Sequence, residues 1–249
     1  MASKPCAACL TIPAVKASGY ETKGTYTEYA GLKTYVTGPA EAKKAILFVY
    51  DIFGYCDQTL QGADILAYSN TESPYRVYVP DWFEGQPAQR AWHPPKTDED
   101  KAKSAAFWSR IGPPTQTVER VPGVVKAVQE KDSPTAWGAL GLCWGGKVIA
   151  LSSGPDTPFD AAAMAHPAFV NAADAAKITI PFAVLASKDE SAEAVAEFEK
   201  ALKTPKHVET YSDQIHGWMG ARSDLSDERN VEEFTRGYKT VLEFFREHV

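Results

Sequence analysis

The chain has 249 residues, of which 44% are hydrophobic and 23% charged, and its formal net charge is −6. This balance fits one large globular domain, and the acidic excess argues against nucleic acids and anionic membranes as partners. No run approaches the roughly 18 apolar residues of a membrane span, and the first residues lack the apolar core of a signal peptide. We therefore expect a cytoplasmic protein that acts on small molecules as a monomer or homodimer.

The first third of the chain predicts a hairpin followed by a βαβ unit. Residues 1–15 are expected to form a flexible N-terminal arm. Alternating Thr and Tyr residues in 20–37 predict an antiparallel hairpin. Apolar runs at 45–50 and 75–79 predict two buried strands, and residues 58–67 between them have a helical pattern. This order predicts a parallel sheet.

Residues 81–123 carry many aromatic and proline residues. We expect them to form an irregular, lid-like segment over the carboxyl edge of the sheet, where α/β folds bind ligands. Trp82 and Phe83 directly follow a predicted strand, so they are expected to line the substrate site. Ordinary core packing is the alternative for both side chains.

Strand and helix patterns continue to alternate in the second half of the chain. Predicted strands lie at 135–140, 161–165, 180–186 and 207–211, and a closing helix is predicted at 231–245. There is no long linker or internal repeat. We therefore expect a single α/β domain over residues 1–249.

The stretch Gly141-Leu142-Cys143-Trp144-Gly145 has the G-x-nucleophile-x-G form of an α/β-hydrolase elbow, with cysteine as the nucleophile. The glycines are needed because a strand turns sharply into a helix there. A cysteine at a helix N-terminus has a lowered thiol pKa, and an imidazole can hold it as a thiolate. A buried small residue is the alternative interpretation of Cys143.

An acid and a histidine follow in the required order. Asp189 comes just after the predicted strand 180–186, and His216 follows the strand 207–211. Taken singly, Asp189 is typical of a turn or helix cap and His216 of a loop, but together with Cys143 they predict a catalytic triad.

The fold also predicts an oxyanion hole. One backbone N–H comes from the residue after the nucleophile, Trp144, and the other from the loop after the third strand, at Ile52. The Trp144 side chain can equally be an apolar cover over the elbow without changing this role of its amide.

The chain resembles the dienelactone hydrolase family, and its eukaryotic branch most closely. The residues that carry the resemblance are Asp51-Ile52-Phe53-Gly54, Pro80-Asp81, Gly141-Leu142-Cys143-Trp144-Gly145-Gly146, Ala165-His166-Pro167, Asp189 and His216-Gly217. The resemblance implies an α/β-hydrolase fold, a triad of Cys143, Asp189 and His216, and no cofactor or metal. It also implies that Asp51 contacts the resting thiol, where bacterial members have glutamate.

The family resemblance bears on the substrate as well. Bacterial members have a carboxylate-binding arginine soon after Pro-Asp, and this chain has none at the equivalent place after Pro80-Asp81. Arg222 resembles a second family arginine, and it can bind a carboxylate through two hydrogen bonds. The alternative is an exposed arginine paired with Asp224 or Asp227.

The remaining candidates are His166 and three cysteines. His166 ends the predicted strand 161–165 beside the expected site, where it serves as a second acid–base, as a substrate contact, or as a structural histidine. Cys6 and Cys9 form a C-x-x-C motif, but they lack the second pair of a zinc site and the βαβ context of a redox site. We expect Cys56 to form part of the pocket wall.

These features predict a cofactor-independent hydrolase of a small ester, lactone or enol-lactone that works through a Cys143 acyl-enzyme. Enol-lactones are favoured, because an alkoxide leaving group tends to reverse the formation of a thioester. Two alternatives stay open: an acyltransferase or thioesterase, and a non-catalytic ligand-binding or redox-sensing protein.

Overall fold

A computed structural model describes residues 15–249. The predicted arm at 1–15 lies almost wholly outside the described residues, as do Cys6 and Cys9. None of the helices within 15–249 is both long and apolar enough to cross a bilayer.

The described chain alternates strands and helices, as the sequence predicts. The strands are β1 (Thr25–Tyr29), β2 (Leu32–Thr37), β3 (Lys44–Val49), β4 (Tyr75–Pro80), β5 (Ala136–Leu142), β6 (Ala161–Ala165), β7 (Phe182–Ser187) and β8 (Lys206–Tyr211). The helices are α1 (Asp57–Tyr68), α2 (Asp98–Ile111), α3 (Pro114–Asp132), α4 (Trp144–Ser152), α5 (Ala172–Ala175), α6 (Ala192–Ala201) and α7 (Glu228–His248).

One eight-stranded sheet organises the molecule, in the order β1-β2-β4-β3-β5-β6-β7-β8. The predicted hairpin of β1 and β2 is antiparallel, and β2 also pairs antiparallel with β4. All later neighbours are parallel, including the predicted β3-α1-β4 unit. The α/β architecture predicted from the sequence is therefore confirmed.

The central strands are buried because helices cover both faces of the sheet. Side chains along a strand alternate between faces. On β5, a Cβ at Gly138 would contact Phe245 of α7, whereas a Cβ at Gly141 would meet α4. The sheet therefore lies between two helical layers, with the carboxyl ends of β3, β5, β6, β7 and β8 meeting at one edge.

The segment 81–123 is more regular than the sequence predicts. It contains α2, whose first turn is closed by a reciprocal capping box between Thr97 and Asp100, and the start of α3, where Pro114 occupies a position that needs no N–H donor. Only Ser104 and Phe107 of α2 are buried. This narrow contact gives little apolar periodicity, so the helix is hard to recognise in the sequence.

Two glycines in helix interiors give a matched test of the packing. A Cβ at Gly62 of α1 would lie 2.0 Å from the hydroxyl of Tyr238, which is held in place by a 2.8 Å hydrogen bond to the carbonyl of Met219. A Cβ at Gly123 of α3 would meet nothing within 4 Å. We expect Gly62→Ala to lower the free energy of unfolding by about 1–3 kcal/mol through overpacking. Gly123→Ala should raise it by about 0.5–1 kcal/mol through helix propensity.

Urea denaturation of both variants and the wild type measures these changes. Equal stability of the two variants would contradict the close α1–α7 contact.

Candidate active site

Cys143 occupies a strained turn between β5 and α4. Its φ of 52° and ψ of −113° lie outside the regions that a residue with a side chain normally adopts. The turn closes tightly on both sides: a Cβ at Gly141 would lie 2.2 Å from the carbonyl oxygen of Gly145, and a Cβ at Gly145 would lie 2.2 Å from that of Val49. The glycines predicted from the elbow motif are therefore required by backbone contacts.

Hydrogen bonds hold the backbone of Cys143 in this conformation. Its N–H donates to the carbonyl of Ala165 at 3.1 Å, and its own carbonyl accepts from Gly146 at 3.1 Å and from Ala168 at 3.0 Å. The loop after β6 is thus tied to the elbow. The half-buried thiol lies at the N-terminus of α4, where unpaired amides favour an anion.

His216 contacts two neighbouring carboxylates, and the acid that holds its ring differs from the prediction. Nδ1 of His216 lies 2.7 Å from Oε1 of Glu190. Asp189 instead accepts a 2.8 Å hydrogen bond from the backbone N–H of His216. Glu190 follows a turn after β7, and its longer side chain reaches the ring, whereas the shorter Asp189 reaches only the main chain. The expected contact between Asp189 and the imidazole is therefore not found.

The two loops around these carboxylates are linked further. The N–H of Lys188 donates to the carbonyl of Gln214 at 3.0 Å, and the N–H of Ser187 donates to Glu190. Only 4% of the Glu190 side chain is exposed, compared with 25% for His216. A buried carboxylate fixed in this way orients the imidazole so that Nε2 is left for the thiol.

Charge and hydrogen bonding keep His216 protonated. Burial lowers its pKa, but hydrogen bonds to Cys143 and Glu190 and the charges of both raise the pKa to about 10. The imidazolium is thus the form present at neutral pH. This is the electrostatic arrangement expected next to a thiolate.

The two residues predicted for the oxyanion hole lie on adjacent segments. Trp144 is the first residue of α4, and its N–H has no acceptor within the helix. Gly145 packs against the carbonyls of Val49 and Tyr50, so the start of α4 lies next to the loop that contains Ile52. Both side chains are buried.

Asp51 is buried beside the site, and the contacts of its carboxylate are with main-chain amides. It accepts from Phe53 and Ala221, each at 2.9 Å. Burial raises the pKa of Asp51, whereas these amides and the charges of Arg90 and His216 lower it. The carboxylate thus joins the loop after β3 to the segment after His216, and its contact with the resting thiol stays a prediction.

Trp82 and Phe83 lie behind the elbow in the structure. The rings of Phe83 and Trp144 are 4.9 Å apart, and both residues are buried. Trp82 and Phe83 also line a cavity of about 300 Å³, together with Arg110 and Arg120. Their contact with substrate stays a prediction.

Arg222 is exposed and has no hydrogen-bond or ion-pair partner between residues 15 and 249. The alternative of pairing with Asp224 or Asp227 is not realised, since Asp224 accepts from Ser226 and Asp227 caps α7. The positive charge of Arg222 contributes to lowering the pKa of His93 and His166, after burial in each case. A Cβ at Gly217, the residue after His216, would lie 2.8 Å from the Cβ of Arg222, so this side chain begins next to the histidine.

His166 and Cys56 both lie near the site, and both are neutral at physiological pH. His166 is fully buried, and its ring lies 5.2 Å from that of His216. Cys56 precedes α1, and its sulfur lies 3.1 Å from the hydroxyl of Thr59. Burial, followed by the charge of Asp51, raises the pKa of Cys56 to about 11, which leaves it a neutral thiol at physiological pH.

Sequence reasoning missed Glu190. Glu190 directly follows the predicted acid, and only the course of the turn decides which carboxylate meets the ring. His93 lies in the segment predicted as a lid, and its ring contacts Phe53 of the loop after β3 at 6.0 Å. Within the described part of the chain, no group of three His, Cys, Asp or Glu residues is arranged to hold a metal ion.

Comparisons with known proteins agree with this geometry. The model of the dienelactone hydrolase family matches residues 32–249. An uncharacterized AIM2 family protein of Schizosaccharomyces pombe is 38% identical over 91% of this chain and 92% of its own length. A carboxymethylenebutenolidase homolog of Mus musculus is 26% identical over 92% and 93%.

Solved structures show the same fold at lower identity. A putative dienelactone hydrolase from Klebsiella pneumoniae superposes with a TM-score of 0.68 at 16% identity, covering 87% of this chain and 93% of the other. The resemblance suggested by the elbow and its flanking motifs is therefore confirmed, and the chain belongs to the dienelactone hydrolase family.

Proposed function

We propose that the protein hydrolyses a small ester or lactone through an acyl-enzyme on Cys143. Family membership supports a hydrolase of such bonds. The observation that carries the mechanism is the strained Cys143 elbow beside a His216 ring whose Nδ1 is held by the buried Glu190. We assign the acid of the triad to Glu190 and a positioning role to Asp189, which holds the backbone of His216.

In the acylation step, the Cys143 thiolate attacks the carbonyl carbon and a C–S bond forms. The N–H groups of Ile52 and Trp144 stabilise the negative charge on the carbonyl oxygen. When the tetrahedral intermediate collapses, the C–O bond breaks and the imidazolium of His216 gives its Nε2 proton to the leaving oxygen. The products are a thioester and an alcohol or enol, which in a lactone is part of the same molecule.

In the deacylation step, the neutral His216 takes a proton from water while the water oxygen attacks the thioester carbonyl. The C–S bond then breaks, and the thiolate and imidazolium are restored. Glu190 stabilises the imidazolium in both steps and fixes the tautomer in which Nε2 faces the reaction.

The charge on His216 bears on the leaving group. An imidazolium with a pKa of about 10 holds its proton more tightly than an ordinary histidine. The part of this shift that comes from Cys143 is lost once its sulfur bonds to the carbonyl carbon, but the charge of Glu190 still raises the pKa, so a leaving oxygen that is stable as an anion reacts best. This favours an enolate or phenolate, and so an enol-lactone or activated ester over a simple alkyl ester.

Arg222 supports a substrate that carries a carboxylate. Its guanidinium is exposed, free of partners within residues 15–249, and coupled electrostatically to His166 beside the triad. A guanidinium in this state can bind a carboxylate with two hydrogen bonds.

The nucleophile is tested by mixing the protein with an activated aryl ester and with an enol-lactone, and following product release and intact mass. We expect a transient acyl adduct on Cys143, and a loss of turnover of about 10³-fold or more in Cys143→Ala. Cys56→Ala is the matched control for the position of the adduct, because the neutral thiol of Cys56 should not carry the acyl group. An adduct that persists in water indicates acyl transfer, and full activity in Cys143→Ala would exclude the mechanism.

The assignment of the acid is tested by NMR titration of the His216 ring. Glu190→Gln removes the negative charge at Nδ1, so the pKa of His216 should fall from about 10 toward its ordinary 6.5. At pH values between 6.5 and 10, His216 of the wild type therefore stays protonated, whereas His216 of the variant loses its proton. Asp189→Asn is the isosteric control and should shift this pKa less, because its hydrogen bond is to the backbone. A larger shift in Asp189→Asn would return the role to Asp189.

Substrate charge is tested with a pair of esters that differ only in a free carboxylate or its methyl ester. Arg222→Gln should raise the KM for the carboxylate substrate about 10–100-fold, which corresponds to the free energy of a hydrogen bond to a charged group. The KM for the methyl ester should change less than about threefold. Arg246→Gln is the control, since Arg246 acts on Tyr75 at the opposite end of β4. Equal effects of Arg222→Gln on both esters would rule out carboxylate binding.

A further inference from the structure

His166 is held rigidly in a strained conformation beside the elbow. It follows β6 with a φ of 37°, which a residue with a side chain rarely adopts. Its N–H donates to the carbonyl of Leu185 at 2.7 Å, and two residues later Ala168 donates to the carbonyl of Cys143. The backbone that carries the ring is therefore tied to β7 and to the nucleophile. Strain of this kind is costly and is concentrated at functional sites.

The imidazole of His166 has no hydrogen-bond partner within residues 15–249, at either Nδ1 or Nε2, although it is fully buried. An unmade hydrogen bond of a buried polar group costs about 1–3 kcal/mol. Buried groups of this kind are usually satisfied by an ordered water or a ligand. A phenylalanine or leucine would fill the same space without this cost. The presence of a histidine therefore indicates that its ring bonds to a polar group that is not part of the protein.

The neighbour of this ring is the general base of the proposed mechanism. The His166 and His216 rings meet edge to face, with centroids 5.2 Å apart and planes at 72°. Burial first, and then the charge of His216, lowers the pKa of His166 well below its ordinary value. His166 therefore stays neutral beside an imidazolium, with one nitrogen that donates and one that accepts. It cannot take the proton of His216, but it can hold a water.

We propose that His166 binds and orients the water that hydrolyses the acyl-enzyme, between its own ring and Nε2 of His216. This inference rests on the proposed acyl-enzyme function. A water bonded at about 2.8 Å to one nitrogen of each ring can bridge nitrogens up to about 5.6 Å apart, and the two ring centroids are 5.2 Å apart. The water gives its proton to His216 and its oxygen to the thioester carbon, the C–S bond breaks, and His166 is unchanged.

The proposal predicts an effect on deacylation alone. His166→Leu keeps an apolar side chain of similar size without polar atoms, and His166→Asn keeps a donor and an acceptor in a residue that tolerates a positive φ. With an activated aryl ester, we expect His166→Leu to lower steady-state turnover about 10–100-fold, the scale of proton-transfer catalysis, while the burst rate stays within about threefold. His166→Asn should lose less than about tenfold.

A second nucleophile distinguishes a water site from a structural role. Hydroxylamine attacks the thioester without an oriented water, so it should restore release of the acyl group in His166→Leu and add little in wild type. Phe169→Ala is the control in the same loop, because Phe169 is 60% exposed, and it should match wild type in both phases. Equal loss of burst rate and turnover in His166→Leu, or no loss at all, would overturn the proposal.

The wild-type protein provides a measurement that does not depend on the stability of a variant. A crystal structure at about 1.5 Å should contain a water within about 3.2 Å of a His166 nitrogen and of His216. If no water lies within this distance of both rings, the proposal is wrong, even if the His166→Leu variant fails to fold. Failure of the acyl-enzyme itself is seen separately, as the lack of an adduct on Cys143 in wild type.

Discussion

The close approach of the elbow to the end of β3 is the constraint on which the site depends. Gly145 lies against the carbonyls of Val49 and Tyr50, at a distance that leaves no room for a Cβ. This contact brings the first turn of α4 next to the loop that contains Ile52. The left-handed conformation of Cys143 costs on the order of 1–3 kcal/mol, and the hydrogen bonds at its N–H and carbonyl offset it. The same contact thus places the turn of Cys143 next to the loop after β3.

Two adjacent carboxylates divide the task of holding the histidine. Asp189 fixes the main chain of His216, and Glu190 fixes the ring. Burying a carboxylate as deeply as Glu190 costs free energy unless the carboxylate is paired and hydrogen-bonded. Glu190 is both: it forms an ion pair with the imidazolium of His216 and accepts a hydrogen bond from the N–H of Ser187. The arrangement keeps His216 charged at neutral pH.

Much of the fold could be predicted because its signals are local. The glycines around Cys143 stand between a buried strand and a helix, and the apolar runs of β3 and β4 flank a helical pattern. By contrast, α2 buries only two residues and was predicted to be irregular, since a helix with so narrow a contact leaves little periodicity. The carboxylate that contacts the His216 ring could not be predicted for a different reason. Asp189 and Glu190 are neighbours, and the geometry of one turn, which sequence patterns do not encode, decides which of them reaches the ring.

The electrostatics of the site also restrict what it can do. The chain is acidic overall, with a net charge of −6, yet an imidazolium lies beside the thiol at His216, and Arg222 is a cation without a partner among residues 15–249. In the mechanism proposed above, Cys143 attacks as a thiolate, so the difficulty lies with the leaving group and with water. In that mechanism, the charge of Glu190 makes His216 a weaker acid than an ordinary imidazolium, which favours esters that need little protonation. The proposed thioester must then be met by an oriented water before the leaving oxygen returns, a role that we propose for the neutral, fully buried ring of His166.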